Sequence, residues 1–134
     1  METNIAIIVG GVLSMVVGYI WYGPLFGKKW MEIIGASAED EAKRKEMQKA
    51  AGPLYVVQLI LTLFQLWILA QVIGVWTSVS GLEVALWVWA GFVMPVIAGT
   101  AMWNNDSRSV AWARFLIQGG YQLIMFVIFG LLLG

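Results

Sequence analysis

At 134 residues the chain has the length of one domain, yet 60% of it is hydrophobic, 12% is charged and its mean hydropathy is +0.81, more apolar surface than a soluble core of this size can hide. It has no cysteine and no histidine, which excludes disulfides, thiolate chemistry, the commonest metal ligand and the usual general base near neutral pH. Net charge is zero and the one dense charge run mixes both signs, so there is no basic footprint for nucleic acid.

Four apolar stretches, residues 5–22, 54–74, 84–103 and 110–133, carry the organisation. At ~1.5 Å per residue each reaches roughly 27 to 36 Å as a helix, against a hydrocarbon core of roughly 30 Å. Runs such as LILTLFQLWILAQVIG do not alternate in polarity, which argues against the strands of a membrane barrel. The expected fold is an all-α membrane protein: a four-transmembrane-helix bundle, residues 1–134, with a cytoplasmic interfacial and soluble helical segment between the first and second spans, residues 23–53. No basic run precedes the first stretch and no small-x-small pattern follows it, so it is expected to be a retained helix rather than a cleaved signal.

In the first span Ala6, Gly10, Ser14 and Gly18 recur every four residues, a ridge of small side chains along which another backbone can approach, from this chain or from a second copy. The helix is expected to stop at Tyr22, because Gly23 is a poor helix residue and Pro24 disfavours α geometry before it. Beyond the turn, Phe26, Trp30, Ile33 and Ile34 fall mostly on one side and Lys28, Lys29 and Glu32 on the other, the pattern of a short helix lying in the headgroups. Residues 36–50 read as a solvated helix: Ser37 and Asp40 have capping-box spacing, and Glu39/Lys43, Asp40/Arg44 and Glu41/Lys45 are acid-before-base pairs at i,i+4. Gly52-Pro53 is expected to end it and start the second span.

Lys28, Lys29, Lys43, Arg44, Lys45 and Lys49 all lie between the first and second spans, and Arg108 lies between the third and fourth with Arg114 just inside. The remaining connections and the ends carry no basic residue. The positive-inside rule therefore puts these two connections in the cytoplasm and both termini on the non-cytoplasmic side. On the outer side, Ser80-Gly81-Leu82-Glu83 has capping-box spacing, which accounts for Glu83 without a catalytic role. Trp21, Trp30, Trp103 and Trp112 are expected near one interface and Trp76, Trp87 and Trp89 near the other, with Trp67 alone in mid-span.

In the third span Gly91, Pro95 and Gly99 repeat the four-residue ridge, and Pro95 removes one backbone bond and is expected to bend the helix. Gly130 and Gly134 repeat it at the end of the fourth. Gln58, Thr62 and Gln65 fall within an arc of about 60° on the second span, and Arg114, Gln118, Tyr121 and Gln122 within about 100° on the fourth. Both helices run outward from the cytoplasm, so the arcs match in depth and are expected to face each other, with Arg114 at the mouth and within reach of Asp106. They read either as hydrogen-bonded packing contacts or as the lining of a polar cavity open to the cytoplasm. No span contains the titratable carboxylate that a proton-coupled exporter needs. Ser14, Thr62 and Thr100 have no neighbouring base.

The segment WYGPLFGKKWM at 21–31, followed by Gly35-Ala36-Ser37 and its acidic residues, and Gly120-Tyr121-Gln122-Leu123 with the later Gly130, resembles the small bacterial membrane proteins of the domain of unknown function 1761 family, over nearly the whole chain. The resemblance implies a four-helix protein of the bacterial plasma (inner) membrane and lends no substrate, cofactor or catalytic residue. It directs attention to Trp21, Tyr22, Gly23, Pro24, Phe26 and Gly27, read physically as a rigid turn at the membrane surface, with Trp30 in the anchor that follows. The expected function is a non-enzymatic helical bundle, with no metal or cofactor, whose partners are the lipid bilayer and either a second copy or a larger membrane complex. The alternative is a small oligomeric channel or carrier for an uncharged or anionic solute.

Overall fold

The structure, a computed structural model, describes residues 2–35 and 41–134, apart from the side chains of residues 43 and 44. The elements are α1 (Thr3–Ile20), a π turn (Trp21–Leu25), α2 (Gly27–Ile33), α3 (Glu41–Val75), α4 (Gly81–Val88), a second π turn (Trp89–Val93), α5 (Met94–Met102) and α6 (Arg108–Leu133). The described residues are helical and contain no strand. With the π turns included, Thr3–Leu25, Lys45–Val75, Gly81–Met102 and Arg108–Leu133 are long and apolar enough to cross a membrane, while only 17 to 33% of their most apolar windows is buried. Most of that apolar surface therefore faces outward.

Local chemistry sets the helix ends. Ser80 Oγ accepts from the Glu83 N–H at 3.1 Å and Ser107 Oγ from the Val110 N–H at 3.4 Å, capping α4 and α6. Gly35, at φ 80°, closes α2 in the left-handed conformation that glycine adopts without strain. The Ser37 cap and the Glu39/Lys43 and Asp40/Arg44 pairs lie outside the described residues, and Glu41 and Lys45 form no ion pair with each other.

Two expected helix boundaries are absent. Instead of stopping at Tyr22, the first helix widens into the Trp21–Leu25 π turn, where the Phe26 N–H reaches back five residues to the Trp21 carbonyl at 2.9 Å. The wider coil accommodates the Pro24 ring and its missing N–H without breaking the helix. Pro53 likewise sits inside α3, which runs unbroken from the solvated segment into the span. It forfeits one bond, to the carbonyl of the exposed Lys49. The second π turn, Trp89–Val93, lies just before Pro95 and takes up the irregularity expected of that proline.

In the bundle, α1 packs on α3 and α6, the third span packs along α6 and meets α3 chiefly through α4, and α3 and α6 touch only slightly. They are the diagonal pair. The apolar core of Leu66, Leu69, Ala85, Met125, Phe126 and Phe129 fills the half of the bundle next to the α3–α4 connection. Glycines allow the close approaches: a Cβ on Gly10 would lie 2.9 Å from Leu66 Cδ2, and one on Gly130 would lie 2.8 Å from Leu82 Cα. Gly81 and Gly134 complete the α4–α6 contact, where a Cβ on Gly81 would lie 2.5 Å from Gly134 Cα. The ridge in the third span behaves otherwise. Gly91 and Gly99 have no atom within 4 Å of a would-be Cβ, so they face open space and join no helices within this chain.

Candidate functional site

The aromatic turn and the arginine lie at the end of the bundle away from the α3–α4 connection, and the polar stripes run from there toward the core. Trp21 opens the first π turn and Trp89 the second, and both indoles reach α6: Trp21 Nε1 donates to the Ile117 carbonyl at 2.8 Å and Trp89 Nε1 to the Gly119 carbonyl at 3.3 Å. A π turn rotates the side chain at its start away from the ordinary helical register, which turns each indole onto the neighbouring helix. Both tryptophans, expected in interfacial belts, thus also serve as contacts between helices. Gly120 supplies the space for Trp21, whose Cζ2 would lie 3.1 Å from a Cβ there.

Tyr121 follows on the same stretch of α6. Its hydroxyl donates to the Ser14 carbonyl at 2.9 Å, and its ring meets Tyr22 edge-on at 5.5 Å between centroids. Gly18 leaves room for that hydroxyl, since a Cβ there would lie 3.3 Å from it. The small residues of α1 therefore serve two neighbours, Gly10 receiving α3 and Gly18 receiving Tyr121. Ser14, buried between them, donates its own hydroxyl to the Gly11 carbonyl at 2.6 Å. Ala6, at the start of the ridge, is buried as well.

The turn itself is compact. Trp21 packs on Phe26 at 4.8 Å and Tyr22 on Trp30 at 5.1 Å between centroids. Gly27 is required sterically, because a Cβ would lie 2.7 Å from the Tyr22 carbonyl oxygen, whereas Gly23 has open space around it. The Arg114 guanidinium lies 6.0 Å from the centre of the Trp30 ring, the range of a cation–π contact. Its Nε donates to Asp106 Oδ2 at 3.1 Å in a pair only 14% and 23% exposed. With its amide oxygen turned to the guanidinium, Asn104 accepts from Arg114 Nη2 at 3.3 Å and Nε at 3.2 Å. Asn105 beside it takes φ 59°, a conformation that asparagine tolerates better than most residues. Arg114 thus fastens the α5–α6 connection to α2.

The polar stripes do not bond across the bundle. Gln58 Nε2 donates to Thr62 Oγ1 at 3.3 Å, and Thr62 Oγ1 donates to the Gln58 carbonyl at 2.8 Å, both within α3. Gln65, Gln118 and Gln122 have no hydrogen-bond partner among the described residues. The expected pairing fails because α3 and α6 stand diagonally, and where they meet it is Leu66 and Leu69 that pack with Met125, Phe126 and Phe129. No buried side-chain nitrogen or oxygen is left unsatisfied among the described residues, so these three amides border accessible space. At ~100° per residue Gln118 and Gln122 share the arc of the buried Met125 and Phe129. Gln65 borders a groove of about 310 Å³ between α3 and the third span, whose other walls are apolar and include Leu69, Val93 and Phe126.

A turn that places tryptophan on the last helix, a facing Gly-Tyr on that helix and an arginine clamp at its foot define a class: all-helical chains with four helices apolar and long enough to cross a membrane, closed at one end by an aromatic latch. The chain belongs to the family described as Protein of unknown function (DUF1761), which matches residues 5–134. No curated protein and no solved structure is significantly similar to it.

Sequence reasoning found the two halves of the latch, residues 21–31 and 120–123, as separate motifs. It missed that they touch, and it missed Gly11, Gly81 and Trp89 altogether as contact residues. One readable signal was the tryptophan ahead of a proline that opens each π turn, at Trp21 before Pro24 and at Trp89 before Pro95.

Proposed function

We propose that the chain is a four-span protein of the bacterial plasma membrane, with α2 and the start of α3 in the cytoplasm and both termini outside, acting as a non-enzymatic bundle that docks within the bilayer onto a second copy or a larger membrane complex. The observation that carries this reading is Gln65. It stands near the middle of the apolar part of α3, its amide has no partner among the described residues, and it opens onto an apolar groove at the bundle surface. An amide left unpaired in hydrocarbon is costly, and a helix that brings a donor and an acceptor to the groove removes that cost. Trp21, Trp89 and Tyr121 are engaged on backbone carbonyls and Arg114 on Asp106, and the unpaired Gln118 and Gln122 lie on the inward arc of α6, whereas Gln65 opens onto the bundle surface.

Because the chain has no cysteine, a single Gln65→Cys variant tests the docking directly. Oxidation in native membranes is expected to give a disulfide-linked dimer or a reproducible crosslink to a partner, and Gln65→Leu is expected to weaken co-purification. A monomer that crosslinks to nothing counts against the reading. Labelling of a cysteine at Ser78 is expected from outside only, and labelling from the cytoplasm reverses the orientation.

A second reading, a small carrier or channel for an uncharged or anionic solute, is favoured by Gln118 and Gln122, which face inward on α6 and border accessible space. Solute flux in proteoliposomes that is unchanged by Gln118→Leu, Gln122→Leu and Arg114→Ala removes it.

A further inference from the structure

At the foot of α5 and α6, lined by residues of these two helices and their connection, lies a groove of about 600 Å³, within the size range of ligand sites. We infer that it is a binding site for an anionic phospholipid, with the headgroup phosphate on Arg108 and an acyl chain along Ala98, Ala101, Ala111 and Phe115. The inference rests on the membrane reading above, but not on the docking at Gln65.

Charge comes first. Arg108 is the first residue of α6, is exposed, and makes no ion pair or hydrogen bond among the described residues. The other charged residue of the groove, Asp106, is already held by Arg114 at 3.1 Å. One positive charge is therefore uncompensated at the groove's end, beside the N-terminal, positive pole of a 26-residue helix.

Shape and depth agree with it. From Arg108 to Phe115 is seven residues, roughly 10 Å along α6, so the groove runs from a cation at the membrane surface into the hydrocarbon. Alanines at 98, 101 and 111 project little into it and leave it deep enough to seat a chain between α5 and α6. Trp112, 59% exposed, stands beside the cation, where an amphipathic ring takes a place among headgroups. A molecule charged at one end and apolar along its body fits both ends of the groove. A zwitterionic headgroup brings its own cation toward Arg108, so a net negative lipid is favoured.

The test uses the full-length protein. Carbonate-resistant retention in membranes and recovery in detergent come first, and failure there overturns the membrane reading itself. Phosphatidylglycerol and phosphatidylcholine are then titrated separately and retained lipid is counted by native mass spectrometry. Phosphatidylglycerol is expected to bind more tightly, and Arg108→Gln to weaken it about five-fold, the effect of ~1 kcal/mol from one cation at a lipid surface, while phosphatidylcholine is unchanged. Lys28→Gln removes another exposed cation from the same side of the bundle and is expected to leave both affinities as they are. Glycerol phosphate at millimolar concentration is expected not to displace the lipid, since it lacks the chain. Equal binding of the two lipids, equal losses in Arg108→Gln and Lys28→Gln, or displacement by glycerol phosphate overturns the site.

Discussion

Replacing Gly130 by alanine probes the glycine-lined contact between α4 and α6. The new Cβ would stand 2.8 Å from Leu82 Cα, 2.9 Å from Ala85 Cβ and 3.0 Å from the Gly81 oxygen. Carbon atoms rest at about 3.5 Å or more, so α4 must withdraw by roughly 0.7 Å. Two of the three obstructing atoms are backbone, so no side-chain rotation relieves the clash, and the withdrawal loosens Ala85 against the Phe126–Phe129 pair in the core. Overpacking of this kind costs about 1–3 kcal/mol. Gly91→Ala and Gly99→Ala are the matched controls, since the same methyl meets nothing within 4 Å there and gains up to ~1 kcal/mol of helix propensity. Unfolding of the three variants in mixed micelles by titration with a denaturing detergent reads the difference. Gly130→Ala is expected to fall below both controls by at least about 1 kcal/mol. If the three variants unfold together, the α4–α6 backbone contact does not hold the bundle and the account of Gly81, Gly130 and Gly134 is wrong.

Gly27→Ala is expected to open the aromatic turn, because the methyl collides with the Tyr22 carbonyl oxygen at 2.7 Å, and faster proteolysis between α1 and α3 measures it against an unaffected Gly23→Ala. Trp21→Phe and Trp89→Phe each remove one indole donor from an α6 carbonyl that keeps its helical partner, so each is expected to cost about 0.6 kcal/mol, with losses above ~2 kcal/mol showing that ring packing dominates. Asp106→Asn leaves the Arg114 charge without its carboxylate and is expected to destabilise the fold by about 1.5–3 kcal/mol. A double-mutant cycle with Arg114→Gln is expected to recover part of that loss, and strict additivity would deny the pair any coupling.

The sequence alone determined what depends on local pattern. Four apolar runs of spanning length dictate four long helices, Ser80 and Ser107 start helices by the same capping chemistry wherever they fold, and a ridge of small residues on α1 marks a face for close approach. Arg114 and Asp106 were readable as partners because both sit at one end of the α5–α6 connection. What sequence could not determine is which face meets which. The polar arcs of α3 and α6 match in depth, but depth is set along the helix, and neighbourhood is set around it by how four helices pack. Only the tertiary structure made those two helices the diagonal pair and sent Gln65 to a groove instead of to Gln122. Proline carried a similar ambiguity. Its missing donor and crowded ring can end a helix or be absorbed by a π turn, and absorption requires a neighbour to hold the widened coil. The Ile117 and Gly119 carbonyls of α6, which hold the Trp21 and Trp89 indoles from 96 and 30 residues away in sequence respectively, supply that neighbour, and no local pattern records them.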